Sequence, residues 1–160
     1  MEISKTLTAT DPVAQEHSQQ LLNLIRQQIA KSNGKISFAD YMDLCLYSSG
    51  LGYYSAGSHK LGTGGDFTTS PEISSLFSHT LAHHFMDVLQ QLEQASILEF
   101  GAGSGKMAIE IMLELEQSNA LPEHYFIIEA SADLRQRQEQ AIAKEIPHLK
   151  DKMVWLSNLP

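Results

Sequence analysis

Three short apolar runs punctuate the second half of the chain: Ile97-Leu98-Glu99-Phe100, Tyr125-Phe126-Ile127-Ile128 and Met153-Val154-Trp155-Leu156. Runs this short, with apolar residues at almost every position, read as strands buried on both faces. Between them the spacing turns helical. Met107, Ala108, Ile111, Met112 and Leu115 recur on one face, and Leu134, Ala141 and Ile142 do so in the more polar stretch from Ala132 to Ile146, which Pro147 ends. Strand, helix, strand, helix, strand predicts a parallel sheet with crossover helices, one mononucleotide-binding half of a doubly wound α/β fold.

The first half of the chain is helical by the same criterion. Asp11-Pro12 offers an N-cap and a first-turn proline ahead of Ala14, Leu21, Leu22, Ile25 and Ile29, and Asn33-Gly34 stops the pattern, so a helix with one buried side is expected. Ser37-Phe38-Ala39-Asp40 resembles a capping box and starts a short second helix with Phe38, Tyr41, Met42, Cys45 and Leu46 on one face. A third pattern, Ile73, Leu76, Phe77, Leu81, Phe85, Val88, Leu89 and Leu92, predicts one continuous helix with a wide buried face as far as about Gln94. Its start is marked twice, by Thr69 with Glu72 as a capping box and by Ser70 with Pro71. The expected organisation is therefore a helical region over 1–95 with a glycine-rich loop, and a sheet region over 96–160.

That loop, Gly50 to Ser70, has the composition of a flexible linker, but Tyr53, Tyr54, Leu61 and Phe67 give it side chains to bury. An ordered or ligand-ordered functional loop is the reading here, with plain disorder as the alternative.

The chemistry concentrates between the first strand and its helix, at Glu99-Phe100-Gly101-Ala102-Gly103-Ser104-Gly105. Glycines there allow positive φ and close approach of a ligand, and the next helix offers free N–H groups and the positive end of its dipole. A dinucleotide fingerprint fails because Lys106 stands where the third glycine belongs, and a P-loop fails at Phe100 and Met107. What remains is acidic-x-G-x-G-x-G. A glycine turn without any ligand is the bland alternative, weakened by Glu129, a carboxylate at the end of the second strand where a βαβ unit puts its ribose-binding acid.

Composition narrows the functional classes. Asp and Glu outnumber Lys and Arg 19 to 11 in 160 residues, a net charge of −8, which disfavours a nucleic-acid partner because phosphate neutralisation needs clustered cations. The single cysteine, Cys45, reads as a packed thiol in a reducing compartment. No run is apolar enough to span a membrane, and MEISKTLTAT looks like neither a signal nor a transit peptide, so a cytoplasmic location is expected. His79, His83 and His84 include an i,i+4 pair, yet Thr80 breaks the H-E-x-x-H pattern and no metal is expected. Arg135-Gln136-Arg137-Gln138-Glu139 reads as a solvated helix face.

A longer set of residues sharpens the glycine motif. Ile36-Ser37-Phe38, Tyr41-Met42, Cys45-Leu46-Tyr47, Gly52-Tyr53-Tyr54, the run Gly65-Asp66-Phe67-Thr68-Thr69-Ser70-Pro71-Glu72-Ile73-Ser74, Leu76-Phe77 and Glu99 to Gly105 occur in order, and Trp155 to Pro160 matches W-x-x-x-L-P. Together they resemble the MidA family of class I S-adenosylmethionine (SAM) methyltransferases, relatives of a mitochondrial complex I assembly factor that dimethylates an arginine. The resemblance covers Ile36 to Pro160. Two departures are Ser78, where the family usually has glycine, and Ser48-Ser49 in place of a proline-containing turn. The resemblance implies a Rossmann-like methyltransferase fold, of which this chain would be the N-terminal portion and first half of the sheet, with SAM as cofactor and a protein arginine as acceptor.

On that basis Gly101, Gly103 and Gly105 would let the backbone approach the amino-acid end of SAM, Glu99 would orient the turn and Glu129 would take the ribose hydroxyls. Glu99 serves equally well as a strand-end carboxylate bonded to local N–H groups. Thr69 and Ser70, at a helix start, would point to the cofactor. Asp66 and Glu72 are the catalytic candidates, because an arginine acceptor is charged and its proton needs a carboxylate. Two other classes stay open: an inactive SAM-fold module acting as an assembly partner, and a methyltransferase for small molecules. An unpaired edge strand also predicts a homo-oligomer.

Overall fold

The computed structural model describes residues 12–56 and 68–159, in two compact units that divide after Ala56. In the first unit, α1 (Pro12–Lys31) is followed by a turn with Asn33 and Gly34 at positive φ and by α2 (Phe38–Tyr47). Ser37 caps α2 with the complete capping box: its hydroxyl accepts from the Asp40 N–H, and the Asp40 carboxylate accepts from the Ser37 N–H. Of the apolar face expected on α1 only Ile25 is buried, while Leu22 is exposed. Beyond α2 the chain hooks back, Tyr53 and Tyr54 donating to the Cys45 and Leu46 carbonyls. Gly52 sits inside this hook, and a Cβ there would lie 2.5 Å from the Ser48 nitrogen, so no other residue fits.

The second unit holds α3 (Ser70–Ile73), α4 (Ser75–Leu89), β1 (Ile97–Phe100), α5 (Lys106–Gln117), β2 (Tyr125–Ile128), α6 (Ala132–Glu145), a 3₁₀ turn (Pro147–Lys152) and β3 (Met153–Leu156). The three strands form a parallel sheet in the order β1-β2-β3. This is the Rossmann-like α/β arrangement expected from the alternation of apolar runs and helical patterns. In register, Ile97, Tyr125 and Met153 lie on one face with the buried side chains of Ile111, Met112, Leu115 and Ile142 in the same core. The opposite face carries Leu98, Phe126 and Val154 in one row and Phe100, Ile128 and Leu156 in the next, and of these Leu98 and Phe100 are exposed.

Two expectations need correction. The helix foreseen from Pro71 to Gln94 is broken at Ser74, whose extended backbone ends α3 and whose hydroxyl accepts from the Leu76 N–H to start α4. The wide apolar face of that helix is buried only in part: Leu81, Phe85 and Leu89 pack against the core, whereas Ile73, Leu76, Phe77, Val88 and Leu92 are exposed, and the residues packed most tightly are the small ones, Ser78 and Ala82. Helix α4 lies against α5, and small side chains let two helices approach closely. Ser78 stands at such a point, fully buried with no partner for its hydroxyl among the described residues.

Candidate cofactor and acceptor site

The glycine turn joins β1 to α5 at the C-terminal edge of the sheet. Gly101, Gly103 and Gly105 have φ of 68°, 57° and 82°, the left-handed region that glycine reaches without steric cost. The Gly101 N–H donates to the Ile128 carbonyl and so continues the β1–β2 ladder into the turn. The glycines differ in surroundings. A Cβ on Gly101 would meet open space, whereas one on Gly105 would lie 3.5 Å from Gln138 Cγ, so Gly105 is where α6 packs against the turn.

A cavity of about 380 Å³ opens beside this turn. Gly101, Gly103 and Ser104 form one wall, Thr69, Ser70 and Glu72 the facing wall, and Glu99, Phe77 and Met107 close it. The two walls are tied together. Ser104 Oγ donates to Glu72 Oε1 at 2.5 Å, and Lys106 Nζ donates to the Pro71 carbonyl at 2.8 Å while pairing with Glu110. The Thr69–Glu72 capping box is therefore absent: Thr69 is the N-cap by backbone geometry, its side chain bonds no helix N–H, and the Glu72 carboxylate is engaged by Ser104 instead.

Glu99 is half-buried on β1 and accepts from the Tyr125 phenol at 2.9 Å. Burial pushes its carboxyl pKa up from the ordinary value, the phenol hydrogen bond pulls it down, and the charge of Glu129 adds to the rise. Burial followed by the Glu99 charge drives the Tyr125 phenol upward too, so it stays a neutral donor. Glu129 does not line the cavity. Its Oε1 accepts from the Ser131 N–H at 2.9 Å and its Oε2 from Gln138 Nε2 at 3.0 Å.

Of the residues expected to form the site, the fold brings Thr69, Ser70, Glu72, Glu99, Gly101 and Gly103 to one cavity. Gly105 and Glu129 lie beside it, and Asp66 falls outside the described residues, as does most of the glycine-rich loop (57–67). Three contributors went unrecognised in the sequence. Ser104 sits inside the motif as a bare spacer, and Tyr125 reads as plain strand. Gln138 was assigned to a solvated face, yet it is fully buried. The signal for it was its place between Leu134 and Ile142 at i, i+4, i+8.

Comparison with known proteins bears on the fold and the cofactor. Residues 80–160 match a family described as "Putative S-adenosyl-L-methionine-dependent methyltransferase". Among curated proteins, the mitochondrial protein arginine methyltransferase NDUFAF7 of Rattus norvegicus is 28% identical over 86% of this chain and 33% of its own length. The Homo sapiens protein of the same name is 30% identical over 72% of this chain and 27% of its own. A crystal structure of a Burkholderia thailandensis protein bound to S-adenosyl-homocysteine superposes with a TM-score of 0.81 at 36% identity, covering 97% of this chain and 41% of that one. The chain thus spans between about a quarter and a third of the length of these curated relatives. The expected cytoplasmic location is overturned by the same finding, since these curated relatives are mitochondrial. No described helix is long and apolar enough to cross a membrane.

Proposed function

We propose, from the premise that this chain belongs to that family of SAM-dependent methyltransferases, that it holds SAM against the glycine turn and methylates a protein arginine. The observation that carries the reading is the cavity whose two walls, the glycine turn and the Ser70–Glu72 segment, are joined by the Ser104–Glu72 hydrogen bond. Its volume of about 380 Å³ falls in the range of small-ligand sites. Open space at the Gly101 Cβ position is what close approach of a ligand to backbone requires. Gly101, Gly103, Thr69 and Ser70 would hold the amino-acid end of the cofactor, and Glu129 its ribose.

When bound, SAM supplies a sulfonium-activated methyl group. The chain's own contribution is to align the acceptor and to take its proton. An arginine guanidinium is cationic and donor-only, and it must shed a proton as its nitrogen gains the methyl. Glu72, which lines the cavity with the glycine turn, would orient the guanidinium and accept that proton, with Asp66 nearby in sequence as a second candidate. A net charge of −8 favours encounter with a basic segment of substrate. The protein-arginine part of the reading draws on the names of the curated relatives.

Titrating the chain with S-adenosylhomocysteine by calorimetry tests the cofactor assignment; saturable one-site binding is expected, and no binding would defeat it. Glu72→Gln, which can still accept from Ser104, should leave that affinity unchanged in a full-length enzyme while slowing turnover about 10²-fold or more. Unchanged turnover would reduce Glu72 to the anchor of its segment.

A further inference from the structure

Gln138 makes three side-chain hydrogen bonds, and nothing in the cofactor assignment uses it. It lies on α6, fully buried, and its amide reaches three segments at once. Nε2 donates to the Gly103 carbonyl at 3.0 Å and to Glu129 Oε2 at 3.0 Å, and Oε1 accepts from the Trp155 indole N–H at 2.9 Å. The carbonyl and carboxylate accept only, and the indole donates only, so a single orientation of the amide satisfies all three. Its stem lies against Gly105, with the Cα position 3.6 Å from where a Cβ would be. One side chain thereby links the turn after β1, the acid after β2 and the aromatic of β3.

We propose that Gln138 is a positioning residue for ribose recognition: it fixes the Glu129 carboxylate relative to Gly103 so that the acid is presented to a vicinal diol. The inference rests on the SAM reading above. A carboxylate offers about two acceptor sites on each oxygen. Among the described residues Ser131 takes one on Oε1 and Gln138 one on Oε2, which leaves one on each oxygen, the pattern that two neighbouring hydroxyl donors match. Without the amide, Oε2 loses its tether to the turn, and the carboxylate can rotate away from a paired geometry. The indole bond matters because it prevents the amide from turning its oxygen toward the carboxylate.

The test compares S-adenosylhomocysteine with its 2′,3′-dideoxyribose analogue, by calorimetry, on wild-type chain, Gln138→Met and Trp155→Phe. Wild type is expected to prefer the natural ribose by about 10- to 100-fold, as for hydrogen bonds to a charged group. Gln138→Met keeps the volume and should lower this preference to within about 3-fold by weakening the natural ligand alone, the analogue having no hydroxyls for Glu129 to hold. Trp155→Phe should move the preference in the same direction by less, and it keeps the inference testable if Gln138→Met fails to fold. A purely structural Gln138 would weaken both ligands equally and leave the preference intact, which would overturn the proposal. Wild type that binds the natural ligand with no preference would overturn it as well. Wild type that binds neither defeats the SAM reading itself. Trp155 is the single tryptophan, so its emission should change on binding in wild type and respond less in Gln138→Met.

Discussion

At the scale of single residues, the Glu99–Tyr125 pair shows how a strand-end acid differs from its sequence reading. Local N–H groups were one candidate partner; the observed one is a phenol from the neighbouring strand, directed to the same face because Ile97 and Tyr125 are in register. Burial raises the Glu99 pKa above 4.5, so the folded state binds more protons than the unfolded state between that value and the raised one. Stability therefore falls as pH rises through this window. The contribution is fully present below about 4.5 and lost above the folded pKa. Glu99→Gln keeps an acceptor for the phenol and removes the titration, so its stability relative to wild type should grow from about pH 4 to about pH 7, measured as urea midpoints. A constant gap between the two proteins across that range would mean that Glu99 titrates as freely in the folded state as in the unfolded one.

At the scale of elements, the caps decide where helices begin, and the sequence displays more caps than the fold uses. Ser37 with Asp40 makes its box because both residues are exposed and local, and among the described residues only Ser37 bonds the Asp40 carboxylate. Thr69 with Glu72 has the equivalent hydroxyl-x-x-carboxylate spacing but loses its carboxylate to Ser104, far along the chain. Ser74 becomes the working cap instead, and it splits one hydrophobic pattern into α3 and α4. Ser74→Ala should cost about 1 kcal/mol of stability, the usual value of an N-cap side chain. It should also disturb the Ser70–Glu72 wall and so weaken S-adenosylhomocysteine binding. Thermal melts and calorimetry on the same variant check both; unchanged values in each would show that the break does not depend on the cap.

For the molecule as a whole, the open face of the sheet is the dominant feature. Parallel sheets are normally covered on both faces, and here Leu98 and Phe100 are exposed on the face opposite the core, on a strand whose outer edge has no partner among the described residues. Val88 and Leu92 extend the apolar surface, with a hollow of about 320 Å³ between them and Leu98. The chain is expected to self-associate through this surface in the micromolar range, seen as concentration-dependent sedimentation, and Phe100→Asp should shift it toward monomer. A monodisperse wild-type monomer at all concentrations would contradict this.

Sequence alone determined the parts whose causes are local. Positive φ favours glycine, so Gly101, Gly103 and Gly105 marked the turn; short runs in which Glu99 is the one charged residue marked β1, β2 and β3; and Pro147 ended α6. The acid at Glu129 followed from the same spacing. Tertiary structure decided whatever depends on a partner distant in the chain. The spacing from Leu134 and Ile142 puts Gln138 on the inner face of α6, but it becomes a hub only because the Gly103 carbonyl, Glu129 and Trp155 converge on it. Glu72 could have served its own helix, and the fold gave it to Ser104. The apolar stripe running through α3 and α4 promised burial, yet exposure depends on what lies opposite: α4 packs against α5, where Ala82 is buried, while Ile73 and Leu76 face no described residue closely enough to cover them. Hydrophobic periodicity fixes which side chains share a face; only packing fixes which face is covered.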